Sequence, residues 1–171
     1  MSLADQTLPL FGQMLGTLDG LLAKAAADPR GDSLLAERLA DDMVPLATQI
    51  RFTCDQAVTG LKRITGLAFV SDEADDTTIV AARQRITAAR AWIAGIDPAA
   101  LGADDAPIAF ELPNGMGFAM TASQYVRDWT VPQFYFHLMA AYAILRSKGI
   151  PLGKADYVPF MMRYLKVPAP A

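Results

Sequence analysis

Long stretches of this sequence place an apolar residue at every third or fourth position, and this spacing constrains the fold more than any other feature. Such spacing gives an α-helix one apolar face. The first stretch consists of leucines with a few other apolar residues: Leu3, Leu8 or Leu10, Phe11, Leu15, Leu18, Leu22 and Ala25. Four stretches of this kind predict helices near residues 3–26, 42–64, 77–94 and 122–148.

Cap residues and prolines indicate where the predicted helices begin and where they are irregular. Asp41 or Asp42 is expected to cap the second helix, with Pro45 in its first turn, where a missing N–H costs little. Pro132 lies well inside the fourth predicted helix, where its ring removes a backbone hydrogen bond. We therefore expect a kink near residues 128–132.

The one strand pattern is a pair of alternating runs that meet at Asn114-Gly115. The apolar positions are Ile108, Phe110 and Leu112 before the turn, and Met116, Phe118 and Met120 after it. An Asn-Gly pair between alternating runs is a strong hairpin signal, so we expect a hairpin at about residues 108–120. The sequence thus predicts an all-α fold, a four-helix bundle with one small β-hairpin before the last long helix.

The length of 171 residues suits one domain, and we expect residues 1–171 to form a single bundle. Residues 152–171 mix glycine, proline and aromatic residues without a clear period. We expect this C-terminal segment to lie as a strap over the bundle rather than to add another long helix.

Composition limits the partners. Hydrophobic residues make up 53% of the chain, which excludes disorder, and 19% are charged where about 25% is usual. This shortage of charge, together with a fourth helix that is apolar on nearly every side, indicates a second buried surface, and we expect a homodimer. A net charge of −3 without any basic block argues against nucleic acid as a partner.

The sequence also predicts a cytoplasmic protein without a membrane partner. Its longest strongly apolar run, residues 134–145, is interrupted by His137 and is too short to span a bilayer. The N-terminal residues include Asp5 and no basic region, unlike a secretory signal. The single cysteine, Cys54, excludes an intramolecular disulfide and is compatible with a reducing cytosol.

Among residues able to carry chemistry, His137 stands out because it is the only histidine. No Gly-rich phosphate loop, CxxC pair, HExxH or GxSxG motif is present. Gln133 lies one turn before His137, so both side chains point to the same face of a helix. Three interpretations of His137 stay open: a hydrogen-bonded core residue, a pocket residue that binds a small molecule, and a metal ligand. One imidazole alone rarely holds a transition metal.

Three further polar or reactive residues lie on the predicted second helix. Cys54 falls on the apolar stripe, which favours a buried and unreactive thiol. Asp55 follows Arg51 by four residues and most simply pairs with it at the surface. Gln49 precedes the inward-facing Ile50 and either borders a pocket or is solvated.

Three segments carry a resemblance to a known family. They are VPQFYFHLMAAYAILR at residues 131–146, GIPLGKADY at residues 149–157, and DDMVPL at residues 41–46, which is followed by Gln49. These segments resemble a bacterial domain-of-unknown-function family within the DinB/YfiT-like metalloenzyme fold. The resemblance implies a four-helix bundle and commonly a homodimer, and it assigns no activity.

The wider DinB-like pattern implies where a metal site would lie. Its members hold a metal on three histidines, one from the second helix and an H-x-x-x-H pair on the last. By this pattern His137 matches the second histidine of the pair, Gln133 replaces the first, and Gln49 stands near the second-helix position. Because amides bind Ni or Zn poorly compared with imidazole, we expect a polar cluster without a bound metal or other cofactor.

We therefore predict a dimeric small-molecule-binding or structural module with a degenerate metal site, in which Gln49, Gln133 and His137 bind the ligand. No catalytic residue is assigned. The alternative is a metal-dependent enzyme of the DinB-like type, a thiol-linked transferase or a hydrolase, with a divalent metal such as Zn or Ni at His137. In the first interpretation, burial among amides lowers the pKa of His137 below about 6.5.

Overall fold

A computed structural model describes residues 2–166 and shows four long helices with one hairpin before the last of them. The elements are α1 (Leu3–Ala26), α2 (Leu46–Thr65), α3 (Ile79–Ala94), β1 (Pro107–Glu111), β2 (Gly117–Thr121), α4 (Ala122–Gln124, then a π-helical segment Tyr125–Thr130, then Val131–Ser147) and the short α5 (Lys154–Tyr157). In the bundle α2 packs mainly against α4, and α1 mainly against α3. This architecture confirms the predicted all-α four-helix bundle with a small hairpin.

The predicted start of α2 is wrong by four residues. Pro45 is not in the first turn but occupies the N-cap position in an extended conformation, and the helix begins at Leu46. The chain before it forms a turn in which the N–H of Met43 donates to the carbonyl of Ala40. A residue that precedes proline is biased away from the helical conformation, so the helix cannot extend back through Val44 to the aspartates.

The apolar stripes of the helices form one core. Every stripe position of α3 is buried: Ile79, Ala82, Ile86, Ala89 and Ile93. The α1 stripe is buried in the same way from Phe11 to Ala25, and Pro9 is accommodated inside that helix. The periodicity of the sequence therefore locates the buried face of each helix because packing between helices requires it.

The hairpin is antiparallel, and its strands pair from Pro107 opposite Thr121 to Glu111 opposite Gly117. Its turn is closed by a hydrogen bond from the N–H of Gly115 to the carbonyl of Leu112, with Gly115 at φ 83°, which glycine adopts without strain. Phe110 places its ring 4.9 Å from that of Trp129 and 5.6 Å from that of Tyr125, so the hairpin packs on α4.

The fourth helix contains a π-helical segment immediately before Pro132, where the sequence predicts a kink. There the N–H of Val131 donates to the carbonyl of Val126, five residues back. Thr130, the last residue of this segment, packs on Gly60 of α2, where an added Cβ would overlap the Thr130 methyl group. The two helices thus approach closely at a position that only glycine allows.

Residues 152–166, which include α5, lie against α1, where Lys24 and Asp156 form an ion pair at 2.7 Å. The rest of the predicted strap, residues 167–171, lies outside the described residues. Within the described range, no helix is long and apolar enough to cross a membrane.

Candidate functional site

Gln49 and His137 meet where the first turn of α2 faces α4. The Nδ1 atom of His137 lies 2.8 Å from the Oε1 atom of Gln49. Gln49 is only 1% exposed. The Gln49 Nε2 donates to the carbonyl of Val44 at 3.4 Å, which directs its Oε1 toward the imidazole. Because Oε1 can only accept, Nδ1 carries the proton and donates, and the Nε2 atom of the neutral ring keeps a free lone pair.

Burial keeps His137 neutral. Its ring contacts Phe52 and Phe136 edge-on, with ring centroids 5.0 and 5.2 Å apart. Burial lowers the pKa of His137 from 6.5 to about 4, because the charged ring would lose its hydration. At neutral pH this side chain is therefore an uncharged donor at Nδ1 and an uncharged acceptor at Nε2.

Gln133 lies one turn before His137 and is half-buried. Within residues 2–166 its side chain makes no hydrogen bond to Gln49 or His137. The structure thus brings two of the three predicted site residues into direct contact and places the third beside them on α4.

The side chains at this position do not fit a transition metal. Among the described residues, no three histidine, cysteine or acidic side chains lie close enough together to hold a metal ion. One ring nitrogen of His137 is occupied by the Gln49 amide, which leaves one imidazole nitrogen where tetrahedral sites use three or four strong ligands.

Of the two further residues singled out on α2, Cys54 is buried as expected, whereas Asp55 is less exposed than a simple surface ion pair requires. Cys54 is a free thiol that is only 2% exposed, and burial raises its pKa. Asp55 lies 3.4 Å from Arg51 but is half-buried, and both residues border a region in which Arg51 pairs more closely with Asp75, at 2.7 Å. The simple surface pair expected for Asp55 is therefore only partly formed.

Sequence reasoning missed a cavity of about 330 Å³ between α2 and α3. Its lining includes Cys54 and Asp55, and α3 contributes three alanines, Ala81, Ala88 and Ala89. The only signal in the sequence is this run of small side chains at helical spacing, which also occurs in tightly packed helices.

Comparisons with known proteins agree with this architecture. The model of a family described as a domain of unknown function, DUF1993, matches residues 3–158. The crystal structure of a DinB family member protein from Shewanella denitrificans is similar, with 33% sequence identity and a TM-score of 0.81. The match covers 99% of this chain and 95% of the other. Among curated proteins, no match is found.

Proposed function

This chain belongs to the DUF1993 family of domains of unknown function and has the DinB-like fold. From that premise we propose that it is a dimeric small-molecule-binding module rather than a metal-dependent enzyme. The observation that carries this proposal is the 2.8 Å contact between Gln49 Oε1 and His137 Nδ1. We place the module in the cytoplasm, where a single unpaired cysteine is usual.

The Gln49 contact suits binding better than catalysis. A general base works best when its pKa lies near the working pH, whereas the pKa of His137 is about 4. At neutral pH the ring accepts a hydrogen bond through Nε2 but is a weak base. A neutral molecule with one hydrogen-bond donor and an apolar body matches this site, because the half-buried Phe52 ring lies beside His137.

The enzyme alternative requires a metal-activated thiolate or water. The only cysteine is buried with a raised pKa, and the side chains beside His137 do not fit a transition metal. Neither component of a thiol-linked transfer is therefore supported by the residues that line this position.

Homodimerisation is supported by apolar side chains left exposed on α4. Phe136 and Met139 are 60% and 46% exposed, one turn apart on the same helix. A standard interface buries about 800 Å² from each partner, which a helix face of this length can supply. We propose that a second copy of the chain covers this face, with His137 at its edge.

Nuclear magnetic resonance of ¹⁵N-labelled protein tests the site directly, because His137 is the only histidine. We expect the ring nitrogen signals of a neutral imidazole protonated at Nδ1, unchanged by equimolar zinc chloride. Gln49→Leu removes the acceptor, and the signals should then move toward a mixture of the two tautomers. One equivalent of Zn or Ni in the purified protein that disappears in His137→Ala would overturn the proposal.

Small-molecule binding is tested with phenol, which offers one hydrogen-bond donor on an aromatic body, and with anisole, which lacks that donor. We expect phenol to shift the His137 ring signals in a saturable manner and anisole to leave them unchanged. No response to either probe would leave the structural role as the correct interpretation, and equal responses would show that the hydrogen-bond donor does not contribute to binding.

The dimer is tested by sedimentation at micromolar protein concentration. We expect the mass of a dimer for the unmodified chain and that of a monomer for Phe136→Asp. Val80→Asp is the matched control, because Val80 is 66% exposed on α3, away from the proposed interface. A monomer mass for the unmodified chain refutes the dimer.

A further inference from the structure

The cavity between α2 and α3 lies on the side of α2 that faces away from Gln49. Its volume of about 330 Å³ is at the lower end of the range for small-molecule sites. The space exists because α3 presents Ala81, Ala88 and Ala89, whose short side chains do not reach across to α2. The cavity therefore admits a small occupant only.

One wall of the cavity is apolar and well fixed. Val58 and Cys54 contribute buried side chains from α2, which are 3% and 2% exposed. Phe69 completes this wall, and its ring contacts that of Trp92 on α3 at 5.3 Å. Such a wall favours an apolar or aromatic body in the occupant.

Arg85 lies in the opposite wall, and its positive charge is already paired with neighbouring residues. Its guanidinium pairs with Asp76 at 2.7 Å and donates to the carbonyls of Asp72 and Ala74 at 2.7 and 2.8 Å. These bonds hold the segment that precedes α3 against the helix. Because all three guanidinium nitrogens already donate hydrogen bonds, the group offers little to an anionic occupant.

Asp55 is the carboxylate of the cavity that shares its cation with a second carboxylate. Its nearest cation is the Arg51 guanidinium at 3.4 Å, while the Nε atom of Arg51 lies 2.7 Å from Asp75. The hydroxyl of Thr48 also donates to Asp75, which holds that carboxylate in place beside Arg51. Burial raises the pKa of Asp55, with Arg51 and Arg85 acting in the opposite direction, so the carboxylate would gain from a nearer cation.

The charges of the lining favour a cation as well. Three carboxylates line the cavity, those of Asp55, Asp72 and Asp76, against the single guanidinium of Arg85. Since Arg85 already neutralises Asp76, the remaining charge at the cavity is negative.

We propose that this cavity binds a small organic cation, a primary amine with an apolar or aromatic body. The ammonium group pairs with the Asp55 carboxylate, and the body packs against Val58, Phe69 and the alanines of α3. This site shares no hydrogen bond with the Gln49–His137 pair, so it stands or falls independently of the function proposed above.

The test uses 2-phenylethylamine as the probe and 2-phenylethanol as its uncharged counterpart, with the full chain. We expect calorimetry to detect saturable binding of the amine, and backbone amide signals of Ala81 and Ala88 to shift on titration. Asp55→Asn should weaken binding about tenfold or more, which corresponds to about 1.4 kcal/mol. Asp105→Asn, at an exposed carboxylate between α3 and the hairpin, should leave the affinity unchanged.

A second variant tests the cavity by its volume and changes no charge. Ala88 is exposed at the cavity mouth, so Ala88→Leu fills the space without entering the core, and it should abolish binding while the protein stays folded. The proposal is overturned if the alcohol binds as well as the amine, or if Asp55→Asn binds normally. It is also overturned if no saturable binding occurs, or if the shifted signals centre on His137.

Discussion

The buried His137 makes the stability of this protein depend on pH in a predictable direction. Its pKa is about 4 in the folded chain and has its ordinary value of 6.5 in the unfolded chain. As the pH falls, the unfolded state therefore takes up this proton first. The contribution to stability is fully present above pH 6.5, is lost as the pH falls toward 4, and changes no further below that.

The size of this effect follows from the gap between the two pKa values. One pKa unit corresponds to 1.36 kcal/mol, so the gap sets an upper limit of about 3 kcal/mol. His137 is only partly buried, and solvent screening reduces the penalty of charging it. We expect a loss of about 2 kcal/mol in the free energy of unfolding between neutral pH and the folded-state pKa.

Urea unfolding of the unmodified chain and of His137→Leu measures this loss. The carboxylates titrate in both proteins, so the difference between their free energies of unfolding isolates the histidine. We expect the advantage of the unmodified chain to shrink by about 2 kcal/mol on acidification. A difference that stays constant with pH, or an imidazole titration with a midpoint near 6.5, would refute the reasoning.

Three further predictions concern packing and burial. Gly60→Ala should lower the free energy of unfolding, measured with urea, by about 1–2 kcal/mol, because overpacking against Thr130 outweighs the better helix propensity of alanine. Gly20→Ala is the matched control: nothing lies within 4 Å of the added Cβ, so the free energy of unfolding should rise by about 0.5–1 kcal/mol. Thr130→Val should raise Tm, since the buried Thr130 hydroxyl has no hydrogen-bond partner among the described residues; a lower Tm contradicts this. Cys54 should react with a maleimide only after unfolding, and labelling of the native chain would show that the thiol is accessible.

The fold was predictable because each long helix buries one stripe, and a stripe is visible in sequence. The α3 stripe from Ile79 to Ile93 is an example, since all five of its members are buried. The start of α2 was misplaced because aspartates that resemble caps precede Pro45, whereas Pro45 itself is the extended N-cap and the residue before a proline is biased away from the helical conformation.

The π-helical segment of α4 was not predictable from Pro132 alone. A proline removes one backbone hydrogen bond, and a helix can respond with a kink or with a wider turn. Here the wider turn ends at Thr130, which packs against Gly60 of another helix. The wider turn thus coincides with a contact between residues 70 positions apart in sequence, which local patterns do not contain.

The sequence reveals part of the first candidate site, the Gln49–His137 pair, and almost nothing of the second, the cavity between α2 and α3. Gln133 and His137 lie one turn apart on one helix, so their shared face follows from spacing, whereas the contact between His137 and Gln49 requires the packing of α2 on α4. The cavity exists because the side chains around it, such as Ala81 and Ala88, are too short to fill it. An alanine in a sequence is equally compatible with a tightly packed contact and with an empty space.

The chemistry of α2 explains why one helix can serve two sites of opposite character. Toward α4 it presents Gln49, an uncharged amide that holds an imidazole in one tautomer and favours its neutral form. Toward α3 it presents Asp55, a carboxylate whose partner is shared with Asp75. Residues six positions apart in a helix point in directions about 120° apart around its axis, so neither side chain reaches the other's surroundings. We therefore expect the first face to favour a neutral hydrogen-bond donor and the second a cation, and we expect a substitution on one face to leave the other's selectivity in place.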